Sequence, residues 1–480
     1  MNRCAQFVFC VGSLLWASFA SAVSFTASHY ASGDTVTYSV TSGDFNNDGI
    51  LDLVTINGAT LSFYKGLSGG GFASPVNQTI NPNLGNQVQS ADFNRDGKLD
   101  LAISSNSNGP DGVIIYLGNG NGTFTKGTSV VTTGVPFYVA LADFNGDHLP
   151  DLVASWCPTS NAPCGAQVFL GQGNGLFKQS AYLSYGGGAV VAGDFNADGR
   201  QDIAVLTNNE LVMYLGAGNG TFNAPLLASE NDPVGIAVGD FYNNRIQSVA
   251  VLTGVLETSG NFEYYINSAR YSNGGISITS PQLINTNQFY HDIAAGDLNG
   301  DFKDDVVVVG GEKFGGGALA NYLIGNGNGT FQSAAALTTY AEDEEKPFIR
   351  DINLDSRHDI GTAWTNGYMV TGGGPYVWMN TNAATNCTPP KPNALSVHIC
   401  APTSGQVVGQ TFTFKAAGNA WNGIAKRMEL WIDGKKIGQN LEDQLSVTTS
   451  LSRGSHTASF VTVDSFDHYV SQSVSFTASY

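Results

Sequence analysis

The chain has 480 residues, 42% of them hydrophobic and only 12% charged, with a formal net charge of −18. That length exceeds one ordinary core and points to several domains or a repeat array. So acidic a chain lacks the clustered Lys and Arg that phosphate backbones require. This excludes a nucleic-acid partner and leaves bound cations or simple solubility as readings of the charge.

The residues 1–22 read MNRCAQFVFCVGSLLWASFASA, with Arg3, an apolar stretch from about Phe7 to Phe19, and small residues at Ala20 and Ala22. The pattern predicts a secretory signal peptide cleaved after Ala22, and therefore a secreted or cell-surface protein. An N-terminal anchor is the rival reading, but the apolar run is shorter than the roughly 20 residues a spanning helix needs. No later segment is long or apolar enough to cross a bilayer, so no transmembrane segment is expected after cleavage, and a monomer is expected.

Over the whole chain 59 Gly and 19 Tyr stand among many Ser, Thr, Asn and Val, a mixture that favours short strands and tight turns. The predicted fold class is all-β. One loop recurs: DFNNDGILD, DFNRDGKLD, DFNGDHLPD and DFNADGRQD are followed by looser copies, with the first Asp at 44, 92, 143, 194, 240, 297 and 351. The intervals of 48, 51, 51, 46, 57 and 54 residues define seven units of about fifty. Within a unit, NQVQSADF, LDLAISS, GVIIYLG and TFTKGTSVV read as four strands, with the acidic loop after the first and a Gly-rich turn before the last. A lone four-stranded sheet is marginal, and radial stacking covers both of its faces. A seven-bladed β-propeller over residues 24–385 is therefore predicted. SFTASHY, at 24–30, resembles the strand after the Gly-rich turn and is expected to complete the last blade, which ends at YVWMNTN without one.

Cys4 and Cys10 leave with the signal, and the remaining four cysteines suit an oxidising compartment. Two local disulfides are predicted, Cys157–Cys164 and Cys387–Cys400. Zinc is the rival, but neither pair has CxxC spacing or a His cluster. Residues 386–392, containing CTPPKP, read as a linker. Residues 393–480 hold six or seven short strands of different spacing, with Asp433-Gly434 as a hairpin signal. They suit an immunoglobulin-like β-sandwich.

The acidic loop places oxygen-bearing side chains at positions 1, 3, 5 and 9, with a backbone carbonyl available at position 7. Calcium takes six to eight oxygen ligands in such a flexible cage. The predicted sites are Asp44, Asn46, Asp48, Ile50 and Asp52; Asp92, Asn94, Asp96, Lys98 and Asp100; and Asp143, Asn145, Asp147, Leu149 and Asp151. Three more are Asp194, Asn196, Asp198, Arg200 and Asp202; Asp297, Asn299, Asp301, Lys303 and Asp305; and Asp351, Asn353, Asp355, Arg357 and Asp359. About six Ca²⁺ are expected. The fifth loop, DFYNNRIQS, has Tyr242 and Ser248 at positions 3 and 9 and is expected to bind weakly or not at all. Position 6 is Gly at 49, 97 and 199, where a sharp turn is easy; His148, Phe302 and Ser356 weaken the expectation elsewhere. Six Ca²⁺ would bring the mature chain from about −19, Arg3 being lost, to about −7. Magnesium, with its tighter octahedral demand, suits the loop less.

The run DFNxDGxxDL, followed by a strand and then LGNGNGTF, resembles the FG-GAP and VCBS repeat family, which includes the integrin α-chain propeller. EF-hand and dockerin loops share the DxNxDG opening but have helical flanks and a last acid at position 12. The resemblance covers most of residues 24–385 and implies Ca²⁺ in the loops, secretion and adhesion-type binding. Residues 393–480 look like a bacterial immunoglobulin-like domain on general patterning.

No catalytic constellation stands out. GLSGG at 66–70 matches GxSxG, but it occupies a Gly-rich turn between strands, where the nucleophile elbow needs a strand and a helix. The Gly-rich turns at 118–122, 171–175, 216–220 and 325–329 lack the Lys of a phosphate loop. His148, His291 and His358 read as decoration of the acidic loops. Glu342, Asp343, Glu344 and Glu345 read as a solvated run, although carboxylate pairs can hydrolyse glycosides. Trp156, Trp364 and Trp378 read as core, with sugar platforms as the rival. The expected function is a non-catalytic binding or adhesion module for an extracellular protein or glycan. A carbohydrate-active enzyme of polysaccharide lyase type and a purely structural envelope or matrix protein are the alternatives.

Overall fold

The computed structural model describes residues 23–32, 37–80, 84–105, 112–159, 162–256, 262–286, 289–311, 318–337, 343–355, 357–365, 373–382, 387, 395–419, 425–441, 443–464 and 466–479. The predicted signal peptide, Ser356 and all of the predicted linker but Cys387 lie outside them.

Among the described residues the fold is all-β, without a helix. Strands recur as antiparallel units of four, beginning with Ser39–Gly43, Asp52–Asn57, Thr60–Tyr64 and Val76–Thr79. Five sheets hold one unit each, and one of these, Pro233–Thr286, carries a fifth strand. An eight-stranded sheet holds two more units, joined by the single pair Gly311 and Asp343. Such repeated sheets are compatible with a propeller.

The first strands of successive units, Ser39–Gly43, Leu84–Ala91, Val135–Ala142, Val190–Gly193, Pro233–Gly239, Phe289–Gly296 and Asp343–Arg350, touch in that order, and the last touches the first. The second strands lie between packed faces and therefore read as continuous apolar runs. DLAISS, DIAVL and DVVVVGG are buried at every residue. The strand predicted from SFTASHY closes the circle: Phe25–His29 pairs antiparallel with Gly374–Asn380, from Phe25 opposite Asn380 to His29 opposite Tyr376. The Ser24 carbonyl accepts the Thr381 amide at 2.8 Å.

Neighbouring units are stapled in a repeated way. The Phe at loop position 2 meets the Phe after the next unit's Gly-rich turn, edge to face: Phe45 with Phe124, Phe93 with Phe177, Phe144 with Phe222 and Phe241 with Phe331, all with centroids 5.5–5.7 Å apart. The turn's last glycine donates its amide to the same residue's carbonyl, Gly122 to Phe45 and Gly220 to Phe144 among them. Each staple joins an aromatic contact of about 1 kcal/mol to a backbone hydrogen bond.

Both predicted disulfides are present, Cys157–Cys164 and Cys387–Cys400, with Cα atoms 4.2 and 5.5 Å apart. The second ties the end of the repeats to the first strand of the C-terminal domain, Ser396–Ala401. That domain packs a three-stranded sheet on a five-stranded one over Phe414, Phe460, Phe476, Met428 and Leu430. Asp433 and Gly434 form the expected hairpin turn, with φ of 50° and 79°.

The first strands surround a central cavity of about 450 Å³. One wall comes from the other domain: Phe466, at the tip between strands Gly454–Asp464 and Tyr469–Ala478, is 5% exposed and lines that cavity. Asp464 shapes the tip, its Oδ1 accepting the amides of Phe466 and His468 at 2.9 Å each.

Candidate metal centres

Each acidic loop connects the first strand of a unit to the second, and its shape comes from the Asp at position 1. Oδ1 of Asp44 accepts the amide of Asp48 and Oδ2 that of Gly49, at 3.0 and 2.8 Å. The same pair of bonds recurs at Asp92, Asp143, Asp194 and Asp297. Holding both amides forces positions 4 and 6 into the left-handed region, for example Asn47 at φ 60° and Gly49 at 80°. His148 and Phe302 take position 6 with φ of 62° each. There the amide bonds to Asp143 and Asp297, at 2.8 and 2.7 Å, offset a backbone strain of about 1 kcal/mol.

The Asp at position 9 is wholly buried and ties three segments together. Asp52 Oδ2 accepts the amide of Phe45 at 3.0 Å, and Oδ1 that of Gly66, at the end of the third strand, at 2.8 Å. Asp100, Asp151, Asp202 and Asp305 repeat this with Gly118, Gly171, Gly216 and Gly325, and Asp359 with Asn380. These glycines are obligatory, because a Cβ on Gly66 would stand 2.0 Å from the Leu51 carbonyl oxygen. Burial, opposed by these backbone bonds and reinforced by the neighbouring loop carboxylates, raises Asp52, Asp100, Asp151 and Asp202 to about 7. Asp359 is also raised to about 7 by burial, and Asp305 lies well above the usual carboxylate range for the same reason.

At position 5, Oδ1 of Asp48, Asp96, Asp147, Asp198, Asp301 and Asp355 accepts the amide of the position 7 residue, Ile50, Lys98, Leu149, Arg200, Lys303 and Arg357. Oδ2 faces a cation in most loops: Lys65 for Asp48, and the side chains of Lys98, Lys303 and Arg357 for Asp96, Asp301 and Asp355. The position 3 amides lie among these carboxylates, Asn46 Nδ2 on Asp52, and Asn145, Asn196 and Asn353 on Asp147, Asp198 and Asp355.

Much of each loop carboxylate is engaged with the loop's own amides. Among the described residues no three His, Cys, Asp or Glu side chains converge as a ready-made metal cluster. One observation fits a hard cation: Asn46 Oδ1 is buried without a hydrogen-bond partner, beside the acids of the first loop. Carboxylate oxygens with one accepted bond retain a lone pair for a metal.

Loop five keeps the shape without the ligands. Asp240 accepts the amides of Asn244 and Arg245 at 3.0 and 2.7 Å, and Ser248 Oγ takes the place of the position 9 carboxylate for the Phe241 amide.

Two histidines read as decoration do more than that. His148 Nδ1 lies 2.9 Å from the Phe466 carbonyl oxygen, and His358 Nε2 lies 3.4 Å from Asp443 of the C-terminal domain. Burial alone would lower the His358 pKa, but Asp443, with Asp297 and Asp351, raises it to about 10. Both contacts join the domains, and nothing local in the sequence marks Phe466 or Asp443 as partners. GLSGG is a turn, with the Leu67 amide on the Gly71 carbonyl. Trp156 and Trp378 are core residues, 2% and 1% exposed. The side chains of Trp364 and of Glu342 to Glu345 lie outside the description. Among the described residues no helix is long and apolar enough to cross a membrane.

Comparison with known proteins agrees with the repeats. The model of the FG-GAP-like repeat matches residues 44–103, 92–154 and 194–251, and that of the bacterial Ig domain matches residues 396–459. No curated protein matches the sequence. Among solved structures, an Agrocybe aegerita lectin recognising non-reducing terminal N-acetylglucosamine is 18% identical, with 64% of this chain and 81% of that one covered and a TM-score of 0.44. A mutant of AofleA from Arthrobotrys oligospora is 14% identical, with 66% and 91% covered and a TM-score of 0.39. NanB sialidase from Streptococcus pneumoniae is 10% identical, with 74% and 70% covered and a TM-score of 0.39. At these scores none of the three bears on what this chain binds.

Proposed function

We propose that this chain is an exported, seven-bladed propeller braced by Ca²⁺, and a non-catalytic binding module for an extracellular protein or glycan. The observation that carries the metal reading is the buried, unpartnered Asn46 Oδ1 within a four-oxygen set that recurs complete in six loops. A bound Ca²⁺ supplies charge that the three clustered carboxylates of each loop cannot find among the loop's own amides. The Asn at position 3, the acids at positions 1, 5 and 9 and the position 7 carbonyl are the groups that would hold the ion. Lys98, Lys303 and Arg357, which pair with the position 5 carboxylates, would have to give up those contacts for an ion to be held there.

The binding reading rests on repeated loops that serve architecture, together with the absence of a nucleophile, base and orienting partner in one place among the described residues. Its test is a glycan and protein array probed with the Ca²⁺-loaded chain, scoring retention and product release separately. Retention without products supports a binding module, and product release rejects it.

A further inference from the structure

Among the described residues the aromatic staple joins four pairs of neighbouring units, and between units four and five its place is taken by a cleft. In six units the third strand ends at a residue without a Cβ or at Asn380, lying directly against the acidic loop. In unit five that place is held by Tyr271, two residues beyond Ala269, the partner of Val249, as Gly66 is two beyond Tyr64, the partner of Leu53. A Cβ at the glycine position of the other units comes within about 2.0–2.3 Å of a backbone carbonyl oxygen. A tyrosine there must stand off from the loop. The Gly-rich turn is lost as well: Ser272 pairs with Gly275 across the two-residue turn Asn273-Gly274, with φ of 52° and 83°. Among the described residues no edge-to-face ring pair joins that hairpin to Phe195 of loop four, Tyr271 packing instead against the cluster that holds it, whereas Phe45, Phe93, Phe144 and Phe241 each have such a pair.

What remains between units four and five is a cleft of about 230 Å³, bounded by Phe195 and Asn196 on one side and Tyr242, Tyr271 and Ser272 on the other. Arg270 enters it from the third strand, with its guanidinium carbon 4.4 Å from the centroid of the Tyr242 ring. Tyr242 is fixed in turn, its hydroxyl donating to the Ser268 carbonyl at 3.2 Å. Arg270 Nε is buried and has no hydrogen-bond partner. Among the described residues it is also the only charged group lining the cleft, in a chain of net charge −18. A buried N–H without an acceptor costs about 1–3 kcal/mol, more beside a charge, and a ligand oxygen would recover it.

We propose that this cleft is a binding site for an acidic sugar residue of hexuronate type. The edge of a guanidinium that presents Nε matches a carboxylate through two parallel hydrogen bonds. The aromatic rings offer faces for the C–H side of a pyranose, and Asn196, Gln247 and Ser272 offer dipoles for its hydroxyls. The loss of metal ligands in loop five and the gain of Arg270 then belong together, the loop having exchanged a cation site for a carboxylate site. This rests on the glycan branch of the binding reading and names its ligand class.

The test is calorimetric or ligand-detected NMR titration of the folded, Ca²⁺-loaded chain with D-glucuronate, its methyl ester and acetate. Glucuronate is expected to bind, with the methyl ester and acetate each at least about tenfold weaker. Arg270→Gln, checked for an unchanged melting temperature, is expected to weaken glucuronate at least about tenfold, and Ser272→Phe, which fills the cleft from the hairpin, to do the same. Lys178→Gln, on an outer strand of unit three, should have no effect. No binding of glucuronate to the wild type, equal binding of the ester or acetate, or binding indifferent to Arg270→Gln would overturn the proposal. Array binding of some other glycan that survives Arg270→Gln would overturn this site while leaving the binding-module reading intact.

Discussion

Oδ2 of Asp240 accepts the amide of Arg245 at 2.7 Å, in a loop that has lost two of its four ligand side chains. The equivalent bond holds Gly49 to Asp44, His148 to Asp143 and Phe302 to Asp297. The first Asp of the repeat is therefore an architectural residue before it is a metal ligand. Asp240→Ala should destabilise the chain by about 2–4 kcal/mol, the worth of two charge-assisted bonds, and by the same amount with or without chelator. Denaturant titration in both conditions checks this. A loss seen only in Ca²⁺ would assign loop five a metal.

The domain contact gives a second expectation. Phe466→Ser removes a buried ring from the centre of the propeller-like body and leaves the His148 contact without its support. A loss of about 3 kcal/mol in domain docking is expected. Small-angle scattering should show a larger radius of gyration, and limited proteolysis near residues 388–394 should accelerate. An unchanged particle would mean that His358 with Asp443, and the Cys387–Cys400 bridge, suffice to hold the domains.

Ring closure depends on the strand Phe25–His29. A mature chain begun at residue 31 should leave the Gly374–Asn380 edge unpaired, lower the melting temperature and favour association through that edge. Calorimetry and gel filtration read both effects. A monomer of unchanged melting temperature would show that closure comes from the inner strands alone.

The acidic loops set a pH dependence whose sign can be worked out. Asp52, Asp100, Asp151, Asp202 and Asp359 are raised from 3.8 to about 7, by burial first. The folded chain then holds protons that the unfolded chain releases, so this contribution is fully present below about pH 4 and is lost as pH rises through 7. In chelator, melting temperature should fall from pH 5 to pH 8. With Ca²⁺ replacing the protons, the fall should vanish or reverse. Parallel curves in the two conditions would contradict this.

Much of the architecture was legible because it repeats. The interval between DFN loops, the strand patterns beside them and the orphan strand SFTASHY predicted the units and their closure, and the structure pairs Phe25 with Asn380 accordingly. At position 6 the spacing shows the backbone preference of His148 and Phe302 but not the carboxylates of Asp143 and Asp297 that capture their amides. Phe466 and Asp443 were illegible since a contact between two domains has no period and no local composition. Arg270 could have been found: unit five is where YLGNGNGTF gives way to ARYSNGG, and the loss of an obligatory glycine implies a rearranged neighbour.

Metal content together with thermal unfolding of the mature chain tests the calcium brace most directly. About six Ca²⁺ per chain and a melting temperature lowered by ten degrees or more in chelator, roughly what several ion-linked loops would contribute, are expected. A chain that carries no metal after dialysis against millimolar Ca²⁺, and melts at the same temperature in chelator, would contradict it.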